Sequence, residues 1–368
     1  MKSTKLNLYK SFFSEKEKVI IQSGSLFASA FLFPSEVCGL RIKNSKGELV
    51  ILPFQGQQIW SARFLDRELA MKSTFTYPLP TSEFLKTYGG FLLHCGATAM
   101  GVPSAQDNHP PHGELPNIPY EQAYIKFGED ERGCYLAVGG KTEYRLAFRT
   151  NYKAEPEIRL YEEATVADVS MKITNLRSQP MEYMYLCHIN FRPFDGSRLV
   201  YSAPADKEHI KVHMDIPDAL PAPKRDKLKD YMLKIAENPS IHNMVDSNTQ
   251  IYDPEILLTI KYLTDHSGYA HSMQIMPEGD AFYISFRPDQ LPIGLRWISR
   301  TGDEDAMGLT LPATAEHKGY TNAKQNGWIR TIAANDSMVI TLKTGYLDQK
   351  SAVRMKSKIE SIVKGIDV

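Results

Sequence analysis

The stretch Thr165-Val-Ala-Asp-Val-Ser-Met-Lys-Ile-Thr174 alternates without a break. Ala167, Val169, Met171 and Ile173 fall on one face, while Asp168, Ser170, Lys172 and Thr174 fall on the other. A period of two with β-branched residues is what a half-buried strand requires, because a helix would spread the same apolar set around its circumference. Asn175-Leu-Arg-Ser then supplies turn residues, and Met181-Glu-Tyr-Met-Tyr-Leu-Cys-His-Ile-Asn-Phe191 reads as the next strand. The two are expected to form a hairpin that ends at His188.

Working outward, similar short runs recur between Gly, Pro, Asn and Asp punctuation: Glu48–Pro53, Gln58–Phe64, Tyr144–Thr150 and Ala281–Arg287. Strand-like runs dominate from about residue 25 to 200 and return from about 256 to 345, which is the pattern of an all-β sandwich or barrel. Two stretches break it. Residues 204–248 contain Leu228, Tyr231, Met232 and Ile235 at helical spacing, and residues 351–364 form a short amphipathic helix. With no repeat or linker-like tract, one domain over 1–368 with a helical insertion is the simplest organisation.

The chain has 368 residues, 42% hydrophobic, enough for a large core. Lys plus Arg and Asp plus Glu balance at 43 each, so no net field draws it to nucleic acid or an anionic membrane. The opening Met1-Lys-Ser-Thr-Lys-Leu-Asn-Leu lacks a signal-peptide pattern and no apolar run reaches the roughly 18 residues needed to span a bilayer, so a cytoplasmic location is expected. Cys38, Cys95, Cys134 and Cys187 form no CxxC pair; three of them sit in apolar surroundings, as reduced core thiols do.

Residues 98–117 are too rich in Pro, Gly and polar groups for strand or helix and must be a loop carrying Asp107, Asn108, His109 and His112. A long ordered loop of this kind is either functional or a Pro-stiffened surface turn with solvated histidines. Pro110-Pro111 between the two histidines excludes the helical geometry of an HExxH metal pair, and no ligand set is completed nearby, so no metal is expected. His188 shares a strand face with Leu186 and Asn190, which leaves it either a core histidine or a residue near a strand end at a cleft.

Taken in order, four segments resemble the aldose 1-epimerase (galactose mutarotase) superfamily, particularly its divergent bacterial branch of candidate aldose epimerases. They are Gln55–Leu69, His112-Gly113, Asn175 followed by Cys187-His188-Ile-Asn-Phe191, and Gly308–Tyr320. The resemblance spans about residues 40–345. It implies a large antiparallel β-sandwich, a monosaccharide or modified sugar as partner in a cleft on a concave sheet, and no cofactor. It also implies acid–base opening of the sugar ring and reclosure as the other anomer, with His188 as general acid and His112 on the ring oxygen. A near-neutral imidazole suits both roles.

Relatives carry Glu-Pro-Ala-Thr in the terminal motif where this chain has Leu311-Pro-Ala-Thr, so the base falls to Glu316, five residues on, with Asp107, Glu114 or Asp305 as other candidates. Trp60, Trp297 and Trp328 are candidate sugar platforms. Arg63, Arg192 and Arg296 are candidate donors to hydroxyls or an acidic group, and Asp107, Asn108 and His109 complete the expected binding set. A sugar-binding protein without turnover and a metal-dependent isomerase using His109, His112 and His188 are the rival readings. Either a monomer or a homodimer fits the sequence.

Overall fold

A computed structural model describes residues 2–366. The chain is all-β with three α-helices among the described residues, and its contacts gather into two compact units. The first runs up to Ala70 and adds Phe75–His188 and Thr314–Gly345; the second comprises Met71–Thr74, Ile189–Ala313 and the chain from Tyr346 onward.

The first unit contains two antiparallel ladders. One is ordered Lys2–Leu8, Gln122–Asp130, Gly133–Leu146, Thr150–Tyr161, Val166–Asn175 and Ser337–Leu347. The other runs from Lys18–Ser23 through Leu26–Leu32, Cys38–Lys43, Gly47–Ile51, Ile59–Phe64 and Leu92–Ala97 to Met181–Ile189. Ala167, Val169, Met171 and Ile173 are all buried, as their alternation predicts. Val169, Met171 and Ile173 each contribute roughly 1.5–3 kcal/mol of burial free energy.

The expected hairpin does not form. Val166–Asn175 pairs with Thr150–Tyr161 and Ser337–Leu347, whereas Met181–Ile189 belongs to the other ladder. Two features explain the crossover. Met181–Ile189 is buried at every position but Glu182, so it suits an interior strand rather than a half-exposed hairpin arm. Asn175 is fully buried, and its amide donates to the carbonyls of Gln179, Ile332 and Ala333, which carries the chain out of the first ladder. Tyr144–Thr150, read as a strand, is instead the end of one strand, a reversal and the start of the next. The strand stops at Leu146, the Arg149 amide donates to its carbonyl, and Phe148 is fully exposed at φ 64°.

The second unit has one ladder of Arg198–Tyr201, Ala270–Ile275 and Ala281–Phe286, and another of Ile210–Val212, Ile256–Ile260, Ile293–Arg300 and Asp305–Ala313. Helix α1 (Ala222–Glu237) buries the expected stripe Leu228, Tyr231, Met232 and Ile235. A seven-residue helix, α2 (Gly319–Gln325), belongs to the first unit and has no apolar stripe that would announce it. Helix α3 (Gln349–Val363) buries Ala352, Ile359 and Ile362, and its start is capped by Asp348, which accepts from the Ser351 amide at 2.8 Å. Among the described residues no helix is long and apolar enough to cross a membrane.

Candidate functional site

Three segments of the first unit are tied together through their backbones. The loop after Leu92–Ala97 folds back so that the His112 amide donates to the Gly101 carbonyl and the His112 carbonyl accepts from Gly96, each at 2.8 Å. The Val102 amide donates to the His317 carbonyl at 2.7 Å, which joins the loop to the segment after Ala313. That segment in turn is bonded to Tyr185, whose carbonyl accepts from the Thr314 amide at 2.8 Å and whose amide donates to the Thr314 hydroxyl at 2.9 Å. The loop therefore shares a bonded network with the strand that carries His188 and with the segment that carries Glu316.

The backbone of His112 is unusual. Its φ is 59°, a left-handed conformation that non-glycine residues rarely adopt, and Gly113 follows at φ 77°. A Cβ on Gly113 would stand 2.1 Å from the Ala99 carbonyl oxygen, and one on Gly101 would stand 2.1 Å from that of His317. The two glycines let the loop pass close enough to hold the histidine.

The rings of His112 and His188 meet edge to face, with centroids 5.3 Å apart and planes at 78°. Phe84 covers His112 at 4.6 Å, and the Tyr88 ring stands edge-on to His188 at 5.7 Å with its hydroxyl 3.4 Å from Nε2. His188 is buried, and the Nδ1 of His112 is buried without a hydrogen-bond partner. Burial, followed by the nearby His317 and His109, lowers the His112 pKa to about 4, so its imidazole is neutral at pH 7. Glu316 is only 4% exposed, so it is not a loop carboxylate facing water.

The other acids near the loop are engaged. Glu114 accepts from the Thr98 amide and hydroxyl and from the Tyr152 hydroxyl at 3.0–3.1 Å; burial raises its pKa to about 7 against those hydrogen bonds. Asp107 accepts from the amides and hydroxyls of Ser104 and Thr321 and so fastens the loop to α2. Burial opposes its ionisation, but these bonds, led by the Thr321 hydroxyl, prevail and hold its pKa at about 2. His109 bonds the Pro110 carbonyl through Nδ1 and accepts from the Tyr320 amide through Nε2, so neither nitrogen is spare for a metal.

The expected residues thus separate. His112 and His188 come together, whereas Asp107, Asn108 and His109 line a different cavity of about 870 Å³ in the same unit. Arg63 faces solvent and pairs with Glu68 at 3.7 Å. Trp60 is core, packed with Val37, Val50 and Leu52, and Trp328 is half-buried. In the second unit Trp297 donates to Glu255 at 2.6 Å, Arg192 is half-buried, Asp305 pairs with Arg300 at 2.8 Å, and Arg296 is buried.

Sequence reading missed Phe84 and Tyr88. They lie in an aperiodic stretch, and only the Gly89-Gly90 that follows, directly before the strand Leu92–Ala97, hints at close packing there. It also passed over His94, a fully buried histidine whose Nδ1 lies 2.6 Å from the Tyr185 hydroxyl and whose pKa burial lowers to about 4.

The antiparallel ladders make a β-sandwich whose fold is galactose mutarotase-like. The chain is similar in structure to a candidate aldose 1-epimerase from Klebsiella pneumoniae, with TM-score 0.82 and 15% identity over 98% of this chain and 96% of that one. It also resembles galactose mutarotase-like proteins from Clostridium acetobutylicum (TM-score 0.60, 12% identity, 88% of this chain and 99% of that one) and Lactobacillus casei (TM-score 0.55, 13% identity, 84% and 99%). More narrowly, residues 36–345 match the family described as Domain of unknown function (DUF4432), and the chain belongs to that family. No curated protein matches it in sequence.

Proposed function

We propose that this chain is an aldose 1-epimerase acting on a monosaccharide or modified sugar. His188 protonates the ring oxygen as a base removes the proton of the anomeric hydroxyl. The bond between the anomeric carbon and the ring oxygen breaks to give the free aldehyde, rotation about the neighbouring carbon–carbon bond turns the carbonyl over, and reclosure in reverse yields the other anomer. His112, neutral at pH 7, offers its imidazole to the ring oxygen without adding a charge. Glu316 is the base in this reading, a buried carboxylate on a segment bonded to the other two. The observation that carries the proposal is the edge-to-face contact of His112 and His188 at 5.3 Å, within a mutarotase-like fold.

Exchange spectroscopy on the anomeric protons of a panel of aldoses and 6-substituted aldoses, beside a binding screen, tests it. Faster exchange with wild type and its loss in His188→Ala is the expected result. Binding without acceleration by the wild type would sink the enzyme reading and favour a sugar-binding protein without turnover. Leu311, buried where related terminal motifs carry glutamate, is the observation behind that second reading.

A further inference from the structure

Arg296 lies on the strand Ile293–Arg300 of the second unit, where pairing with Asp305–Ala313 slips between Leu295 and Trp297. The side chain is 1% exposed. Its Nε donates to the Leu309 carbonyl at 3.2 Å and its Nη2 to the Ser272 hydroxyl at 3.3 Å, while the guanidinium stands 4.3 Å from the centre of the Tyr201 ring. Its Nη1 is buried with no partner.

All of these contacts are to neutral groups. Three aspartates of this unit pair with other cations: Asp265 with Lys358 and His271, and Asp195 and Asp305 with Arg300. A carbonyl, a hydroxyl and an aromatic face satisfy donors and attract a cation, but they do not cancel its charge. An uncompensated ion in a protein interior costs several kcal/mol, which is why buried arginines normally have a carboxylate.

His242, close enough to feel the charge of Arg296, is 2% exposed, and neither of its ring nitrogens has a hydrogen-bond partner. Burial, then the Arg296 charge, lowers its pKa to about 3. It is therefore neutral and holds one idle N–H donor. The interior of this unit thus combines a buried guanidinium whose bonds go to neutral groups, an idle guanidinium donor and an imidazole with both nitrogens idle.

We infer that the second unit holds a small monovalent anion of the halide class, bound by Arg296 Nη1 and the N–H of His242. A single negative charge balances the guanidinium, and a halide accepts from both idle donors at once. The enclosure of Arg296, Ser272 and His242 favours a monatomic ion over an ionised sugar or a phosphate ester. Beside it, Tyr201 and Asn243 are bonded to each other at 2.8 Å and line a cleft of about 510 Å³ that Arg198, Lys356, Glu360 and Lys364 also line. Tyr201 carries Arg296 on its ring, and Asn243 directly follows His242.

Crystals of the full chain soaked in sodium bromide, measured at the bromine edge, provide the direct test. An anomalous peak in contact with Arg296 Nη1 is expected; its absence, or a water without anomalous signal in its place, overturns the inference. In solution, thermal unfolding in sodium chloride is compared with sodium methanesulfonate at matched ionic strength. Chloride should raise the midpoint saturably by a few degrees in wild type and not in Arg296→Gln. Equal midpoints in wild type, or an undiminished chloride increment in the variant, overturns it. Should Arg296→Gln fail to fold, the bromide map and the wild-type salt comparison still decide.

Discussion

Replacing His112 by Asn tests the electrostatic description of the histidine pair without disturbing its backbone, because Asn tolerates the left-handed conformation that His112 adopts at φ 59°. The folded-state pKa of His112 is about 4, against about 6.5 for an unfolded histidine. Below pH 6.5 the unfolded chain binds a proton that the folded chain refuses. Stability is therefore complete above pH 6.5 and falls as the pH drops toward 4. At pH 5 the loss from this residue is about 2 kcal/mol by linkage. His94 and His242, with pKa values of about 4 and about 3, add similar losses, so wild type should lose about 6 kcal/mol between pH 7.5 and pH 5 from the three together. The two histidines that remain in His112→Asn account for about 4 kcal/mol over the same interval, so its loss should be about 2 kcal/mol smaller than that of wild type. Urea unfolding of both proteins at the two pH values measures the difference, and a ring titration of His112 by NMR checks its origin. Equal losses in the two proteins, or a His112 midpoint near 6.5, would refute the reasoning.

Other perturbations address the remaining parts of the site. His188→Ala should lower the anomer exchange rate by about 10²-fold or more while circular dichroism stays native, because it removes the proposed proton donor. Gly113→Ala places a Cβ 2.1 Å from the Ala99 oxygen at φ 77°, and should destabilise by about 1–3 kcal/mol and reduce exchange with it. Thermal unfolding and the exchange assay together read both effects, and a wild-type midpoint would show that the loop does not need glycine there. Asp107→Asn removes a carboxylate held at about 2, which is worth about 2 kcal/mol above pH 3.8 and is lost as the pH falls through 2. Hydrogen exchange should show residues 98–112 and α2 opening together in that variant; unchanged protection in either segment would contradict the tie through Ser104 and Thr321.

Much of the architecture was legible because strand periodicity is local. The alternation at Ala167, Val169, Met171 and Ile173 needs no knowledge of what covers it, and the same is true of the α1 stripe. Pairing partners were not legible. Val166–Asn175 and Met181–Ile189 are adjacent in sequence yet lie in different ladders, since the buried Asn175 amide and the double-sided burial of the second strand decide the crossover. Helix α2 was equally hidden, because the groups that satisfy its first turn come from Asp107, more than two hundred residues away along the chain.

For the site, the order of the motifs singled out His112 and His188, and the tertiary structure brings their rings to 5.3 Å. Which residues accompany them was a matter of packing. Asp107, Asn108 and His109 share a loop with His112, yet the turn at His112-Gly113 leaves them lining another cavity. Phe84 and Tyr88 carry no motif and reach the histidines only because a short turn places them there. Sequence by itself therefore determined the all-β class and the helices with apolar stripes, since each is encoded in residue type and spacing along a short window. The partner of every strand, the neutral state of His112, the burial of Glu316 and the uncompensated charge of Arg296 were decided only by the tertiary structure, because desolvation and pairing depend on what distant segments bring into contact.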